Sequence, residues 1–327
     1  MNKNNLLAIL FISVPSVADT LSIVPEIKSG LPAVMNEPVL YQAPQFDYFN
    51  LADGYLEQRA EAIAKLPMAL SDIERVCIQT SYSGIDHSGI DPSSSDQSGI
   101  LIYTYAEDNS GNKIHNTTIG DRVNLETVSK HCIDESNWVY DNWLADKSMT
   151  FTPYSSSSAL ITDVRVIIDG ELSLSQVPTE FTEQYYDFIT KVGFDQSANF
   201  YHPDDISGLK DVLVSGLEHN DSSIKFIKNM AFGNTVSKED IVLMSGLDFM
   251  NQFLSILGQA SGSNTANLES FKVINVFDHN DKKYVNVEKQ ERLFGKRITR
   301  NEVVILKKYS SQWLLELPES LKNMLDN

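Results

Sequence analysis

The chain has 327 residues, 42% of them hydrophobic, and its 26 basic and 44 acidic side chains give a net charge of −18 at neutral pH. A surface this negative repels nucleic-acid phosphates and anionic lipids, so the composition argues against nucleic-acid binding. The acidity is uneven, because residues 20–180 carry 9 basic and 23 acidic side chains whereas residues 181–327 carry 16 and 20. This asymmetry, together with the length, favours two domains.

The first 18 residues have the layout of a secretory signal peptide. One lysine precedes an apolar run from Leu6 to about Ala18, and the run ends in Ser-Val-Ala, with small residues at its first and third positions. The alternative is a membrane anchor, but an anchor needs about 20 apolar residues and this run has only about 13. The sequence therefore predicts cleavage after Ala18, a periplasmic or secreted location, and no membrane insertion once the signal is removed.

Cys77 and Cys132 are the only cysteines in the sequence. In an oxidising compartment a single disulfide between them is the simplest outcome. The alternative is a pair of buried free thiols.

The N-terminal half is predicted to be rich in strands. Residues 19–47 contain four prolines and no periodic pattern, which indicates an extended lead-in. The run LADGYLEQRAEAIAKL (51–66) stops before Pro67 and predicts the one helix of a β-rich domain at 48–177. Six further runs are rich in β-branched and aromatic residues and predict strands: ERVCIQTSY, GILIYTYAE, NKIHNTTI, NWVYDNW, MTFTPY and ALITDVRVIID. Between the second and third of these, EDNSGNK has the chemistry of a hairpin turn, with Gly111 free to take a positive φ.

A repeat of SGID lies between the first two of these strands and places Asp86, Asp91 and Asp96 five residues apart. A calcium loop usually has acidic residues at alternate positions and closes with a glutamate. In an extended segment, an odd spacing points successive carboxylates to opposite sides. The repeat is therefore interpreted as a hydrophilic loop, with weak calcium binding as the alternative.

After Pro178 the apolar periodicity becomes helical. TEFTEQYYDFITKVG predicts a helix capped by Thr179 and stopped by Gly193, and HPDDISGLKDVLVSGLEHN predicts a second helix. A third helix, capped by Ser237, is predicted for SKEDIVLMSGLDFMNQFLSILG. Four strands follow to the end of the chain (NLESFKVINVFDH, KKYVNVEKQER, RNEVVILKKY and QWLLELP), joined as an antiparallel meander.

The order of elements in residues 179–327 is similar to that of the nuclear transport factor 2-like superfamily, a cone-shaped α+β fold. The resemblance depends on the helices, on FYHPDD at 200–205, and on the closing NEVVILKKYSSQWLLELP with Trp313. It implies an α+β domain of helices followed by a curved meander. It does not imply an activity, because the superfamily contains enzymes, ligand binders and structural domains. None of the catalytic positions of its isomerase-like members can be matched here.

Five side chains are candidates for a binding site on the concave face of this cone: Tyr185, Phe188, Phe200, His202 and Trp313. The aromatic residues could line a concave pocket, but aromatic residues at helical spacing also fit a plain core. His202 precedes a helix beside Asp204 and Asp205, so it is either an acid–base group or a residue that caps and packs.

No catalytic, nucleotide-binding or metal-binding motif occurs in the sequence. His115, His131 and His279 are scattered, so the sequence predicts no metal site and no cofactor. The first hypothesis is an exported non-catalytic protein whose C-terminal concave face binds a small ligand or a partner protein. The alternative is an enzyme that uses His202, Tyr185 or Asp205 on a small hydrophobic molecule. A third hypothesis is a secreted factor that acts through its acidic N-terminal half.

Overall fold

The computed structural model describes residues 19–27, 58–59, 62–83, 98–107, 113–119, 122–123, 128–134, 148–155, 160–260, 268–293, 295–318 and 321. The predictions for the signal peptide, the aspartates of the SGID repeat, the turn at Gly111 and the strand at 137–143 lie outside these residues. The described part is α+β, as predicted: strands occur up to residue 172, helices lie within 178–260, and four further strands follow.

The N-terminal half is built from antiparallel strands. They are β1 (Asp19–Ile23), β2 (Glu26–Ile27), β3 (Gln58–Arg59), β4 (Ala62–Lys65), β5 (Leu70–Ser83), β6 (Ser98–Glu107), β7 (Lys113–Ile119), β8 (Arg122–Val123), β9 (Val128–Asp134), β10 (Ser148–Ser155) and β11 (Leu160–Leu172). One sheet has the order β1-β11-β5-β9. The other has the order β2-β4-β10-β6-β7, with β3 paired to β10 and β8 paired to β6.

The helix predicted for residues 51–66 is wrong in its described part, because Ala62–Lys65 forms β4. Ala62 and Ala64 are fully buried and alternate with more exposed neighbours, which is the period of a strand. The composition of this run favours a helix locally, but pairing with β10 outweighs that preference. The predicted lead-in also contains structure: in β1, which pairs with β11, Leu21 and Ile23 are buried.

The disulfide between Cys77 and Cys132 is confirmed, with an S–S distance of 2.04 Å. The two cysteines lie directly opposite each other on β5 and β9. The sequence analysis did not predict β9 as a strand. Because β9 is the edge strand of its sheet, the bridge fixes this edge to the strand beside it.

The helices are α1 (Pro178–Lys191), α2 (Pro203–Glu218), α3 (Ser222–Phe232), α4 (Lys238–Leu243) and α5 (Gly246–Ala260), with 3-10 turns at Phe194–Gln196 and Ala198–Phe200. Thr179 is not the cap of α1: Val177 takes that position without a side-chain bond, and Pro178 begins the helix. Ser237 does cap α4, in a reciprocal capping box with Asp240. The third predicted helix is divided at Met244, whose extended backbone separates α4 from α5, and α3 was not predicted.

The C-terminal meander is confirmed as β12 (Leu268–His279), β13 (Lys282–Leu293), β14 (Lys296–Tyr309) and β15 (Gln312–Leu315), paired in chain order. Its turns carry the residues with positive φ that tight hairpins need: Asn280, Asp281, Gly295 and Ser310. We call the sheet face that packs against α1 the inner face; it carries the buried Val285, Val287 and Leu306. The outer face carries the alternate residues.

Helix α1 and the 3-10 turns join the two halves of the chain. The Gln196 side chain pairs with β1, since its Oε1 accepts from the backbone N of Ser22 and its Nε2 donates to the backbone O of the same residue, both at 2.8 Å. On α1, Asp187 accepts from the backbone N of Met68 and Lys191 donates to the backbone O of Leu66. The buried residues of both halves therefore form one continuous core.

Candidate functional site

Two of the predicted aromatic residues, Phe188 and Phe200, lie in the core with no solvent exposure. Their ring centroids are 5.1 Å apart, and Tyr185 lies 5.5 Å from Phe200. These distances are typical of packed aromatic pairs. A ligand could touch Phe188 or Phe200 only by displacing core side chains.

Tyr185 forms a buried hydroxyl pair with Tyr201, at 3.2 Å between the two oxygens. Burial raises the pKa of Tyr185 well above its usual value and raises the pKa of Tyr201 to about 12. Both hydroxyls are therefore protonated at neutral pH, so neither can act as a base there. The pair connects α1 to the segment before α2.

A polar network that the sequence analysis missed covers one end of the inner face. Tyr186 donates to Glu302 at 2.8 Å, and the Nζ of Lys289 lies 2.7 Å from Glu302 and 3.2 Å from Glu291. Burial acts to lower the pKa of Lys289, but the bonds to Glu302 and Glu291 outweigh it and raise that pKa. No local signal marks this network, because Tyr186 and Glu302 are 116 residues apart in the sequence.

His202 is the N-cap of α2. Its Nδ1 accepts from the backbone N of Asp204 at 3.3 Å, and its own backbone N donates to the backbone O of Leu315 at 2.9 Å. The ring is buried, with its centroid 5.3 Å from that of Tyr309. The capping and packing alternative is thus what the described contacts show for His202.

Replacing His202 with alanine should lower the free energy of unfolding by about 1 kcal/mol, because the first turn of α2 loses its cap. Replacement with asparagine, whose side chain also caps, should recover most of that loss. Chemical denaturation of the three proteins would measure both effects. Equal losses in the alanine and asparagine variants would show that the cap contributes nothing.

Asp205 is held by ionic and backbone contacts. It accepts from the Nζ of Lys307 at 2.8 Å and from the backbone N of Leu317 at 3.0 Å. Partial burial acts to lower the pKa of Lys307, but Asp205 and Glu316 outweigh it and raise that pKa. The carboxylate therefore anchors α2 to the end of the C-terminal sheet.

Trp313 differs from the other four candidates because its side chain is only half-buried. It lies on the inner face of β15, directly opposite Lys308 on β14. The ammonium nitrogens of Lys283 and Lys308 lie 5.4 and 6.0 Å from the centroid of its ring. These distances fit cation–π contacts.

The predicted site residues are therefore brought together only in part. Tyr185, Phe188 and Phe200 share one aromatic cluster on α1 and the 3-10 turn, His202 faces Tyr309, and Trp313 lies between two lysines.

The described residues include no metal-binding cluster and no membrane-spanning helix. His115 lies on β7, His131 lies on β9 and His279 ends β12. Within the described ranges, no group of three His, Cys, Asp or Glu side chains is placed to hold a metal ion. Among the helices that the structure describes, none is long and apolar enough to cross a membrane.

No protein-family profile and no curated protein sequence matches this chain.

Proposed function

We propose that this chain is an exported, non-catalytic binding protein that contacts a partner protein through the outer face of its C-terminal sheet. The observation that carries the proposal is an apolar row across three strands, in which the exposed Phe277 on β12 and the half-buried Tyr284 on β13 and Ile305 on β14 lie directly opposite one another. Phe277 is 49% exposed, and the adjacent Val303 is 52% exposed. An apolar surface that stays partly exposed to solvent is typical of interaction sites.

The row has the features of the centre of an interface. The rings of Phe277 and Tyr284 stack at 5.3 Å with an interplanar angle of 11°, so they form one flat aromatic surface. Aromatic side chains are enriched at the centres of protein interfaces, and polar groups form the rims. Here the polar neighbours are Asn286 and Glu288, on the same face of β13.

The contacts of the candidate acid–base groups support a non-catalytic role. His202 is used as a helix cap, Asp205 is paired with Lys307, and the hydroxyl of Tyr185 is buried against Tyr201. Each group is thus engaged in holding elements together. The enzyme hypothesis gains no support from these contacts.

Export is supported by the N-terminal sequence pattern and by the disulfide, which an oxidising compartment maintains. The segment directly after the predicted cleavage point is β1, whose buried residues belong to the core. A mature chain that begins at Asp19 would therefore keep every described strand. Mass spectrometry of the exported protein would test the cleavage point.

The outer-face proposal is tested by placing a photo-crosslinking amino acid at Val303 in the cells that naturally make the protein. We expect a discrete adduct with one partner, and we expect Phe277→Glu to reduce its yield at least tenfold, because a buried unpaired charge is costly in an interface. Quantitative blotting, followed by mass spectrometry of the adduct, would measure both results.

The matched control is Phe226→Glu on α3, which places the same charge at a phenyl ring that is 65% exposed. This variant should leave the adduct at Val303 unchanged. An adduct that survives Phe277→Glu, or that Phe226→Glu weakens equally, would contradict the outer-face proposal. An adduct of twice the chain mass would identify the partner as a second copy.

A further inference from the structure

Lys283 and Lys308 lie on the inner face of the C-terminal sheet beside buried apolar residues, apart from the network of Lys289. Val285, Val287 and Leu306 on this face are fully buried, and Leu315 is nearly so. Lys283 lies opposite Leu306, and Lys308 lies two residues further along β14 on the same face. A charge that breaks the apolar pattern of a core-facing strand is a feature to be explained by function.

The two lysines converge on one indole ring. Trp313 is directly opposite Lys308, and the Nζ atoms of Lys283 and Lys308 are 5.4 and 6.0 Å from the ring centroid. Two ammonium groups near one ring repel each other, and an anion bound near both would offset that repulsion. The arrangement thus combines a flat apolar surface with two cations.

The charges around the ring are incompletely compensated. Lys283 is 2.6 Å from Asp278, whose side chain is 70% exposed, and Lys308 has no carboxylate partner among the described side chains. Lys282 and Lys307, which directly precede Lys283 and Lys308, lie on the outer face. In contrast to Lys308, both pair with a carboxylate, Glu316, at 2.7 and 3.4 Å. In a chain of net charge −18, the unmatched cation beside Trp313 is a local exception.

We infer that Lys283, Trp313 and Lys308 form a binding site for a small organic anion with a flat apolar body. The carboxylate or sulfonate of the ligand lies beside the two ammonium groups, and the apolar body rests on the half-buried indole. The charge gives a preference for anions, and the indole gives a preference for flat molecules. This site is independent of the outer-face row, because it lies on the opposite side of the sheet.

The test is a titration of the full mature chain with 1-naphthoate, followed through the indole NH signals of the tryptophans in a nitrogen-15 spectrum. Trp313→Phe assigns the signal of Trp313 by removing it. We expect a saturable shift of that signal, and we expect Lys308→Gln and Lys283→Gln each to weaken binding by about fivefold, the effect of losing one exposed charge contact. Raised salt should weaken binding as well.

Two controls separate charge at the site from charge in general. Lys272→Gln removes an exposed outer-face lysine, and it should leave affinity within twofold. The neutral analogue 1-naphthamide should bind far more weakly than 1-naphthoate. Phe277→Glu should have no effect on 1-naphthoate affinity, because Phe277 lies on the outer face. The binding result would therefore hold even if the outer-face proposal failed.

The inference is overturned by any of three outcomes. The Trp313 signal does not shift saturably, or 1-naphthamide binds as tightly as 1-naphthoate, or Lys308→Gln and Lys272→Gln weaken binding equally. The first outcome would mean that the lysine stems only cover the ring, which is a packing role, and either of the others would mean that Lys283 and Lys308 do not select the anion.

Discussion

Replacing Cys77 and Cys132 together with alanine is expected to lower the free energy of unfolding by about 4 kcal/mol. The bridge closes a loop of 55 residues. Opening such a loop raises the conformational entropy of the unfolded chain, and this lowers the free energy of unfolding by about 4 kcal/mol. The bridge also fixes β9, the edge strand, to β5. Urea denaturation of the oxidised protein and of the double variant would measure the difference.

Reductant provides the control for this prediction. Reduced wild-type protein should approach the stability of the double variant, and reductant should not affect the double variant itself. If reduction leaves the urea midpoint of the wild type unchanged, then the register of β5 and β9 alone holds this edge and the predicted contribution of the bridge is refuted.

Replacing Phe200 with alanine is expected to lower the free energy of unfolding by about 3–5 kcal/mol. The side chain has no exposure, and its ring contacts three others, with centroids 5.7 Å from Phe181, 5.5 Å from Tyr185 and 5.1 Å from Phe188. The loss includes the transfer of the ring to water and the cavity left in a close-packed cluster. Thermal and urea denaturation would measure it.

The matched control is Phe226→Ala, because this phenyl ring is largely exposed on α3. Its effect should be within about 0.5 kcal/mol, as for other surface positions. The comparison also separates the two interpretations of Phe200. A Phe200→Ala protein that keeps its stability would mean that Phe200 lines a ligand pocket rather than filling the core.

The C-terminal sheet was predictable because its signals are local. Each hairpin joins neighbouring runs of the chain, and the turn at Asn280 and Asp281 uses residues that accept positive φ. Helices α1 and α2 were predictable for a similar reason, since Pro178 and Pro203 mark where they begin. Local chemistry is sufficient where partners in the fold are also neighbours in sequence.

Strand β4 and the polar network were not predictable by the same means. The alanines of β4 favour a helix until β10 pairs with them, and Ala62 and Phe151, which lie opposite each other, are far apart in sequence. Glu302 meets Tyr186 only because α1 packs across the inner face of the sheet. These features depend on contacts between distant segments, which a single sequence does not encode by periodicity.

The candidate site shows the same division at the level of single residues. The sequence pattern made Trp313 a candidate binding-site residue, but it gave no reason to associate Lys283 or Lys308 with it. The strand register decided that association, by placing both lysines on the face that carries Trp313. A shift of one residue in β14 would have sent Lys308 to the outer face, because side chains alternate between the two faces of a strand.

By itself, the sequence determined the α+β order, the C-terminal meander and the pair of cysteines that form the bridge, because turn residues, apolar periods and a count of two cysteines are properties of the chain alone. Only the tertiary structure decided which aromatic side chains fill the core, which histidine nitrogen caps α2, and which apolar row lies on the outer face of the sheet. These outcomes depend on burial and on contacts across tens to hundreds of residues, and burial is a property of the packed molecule.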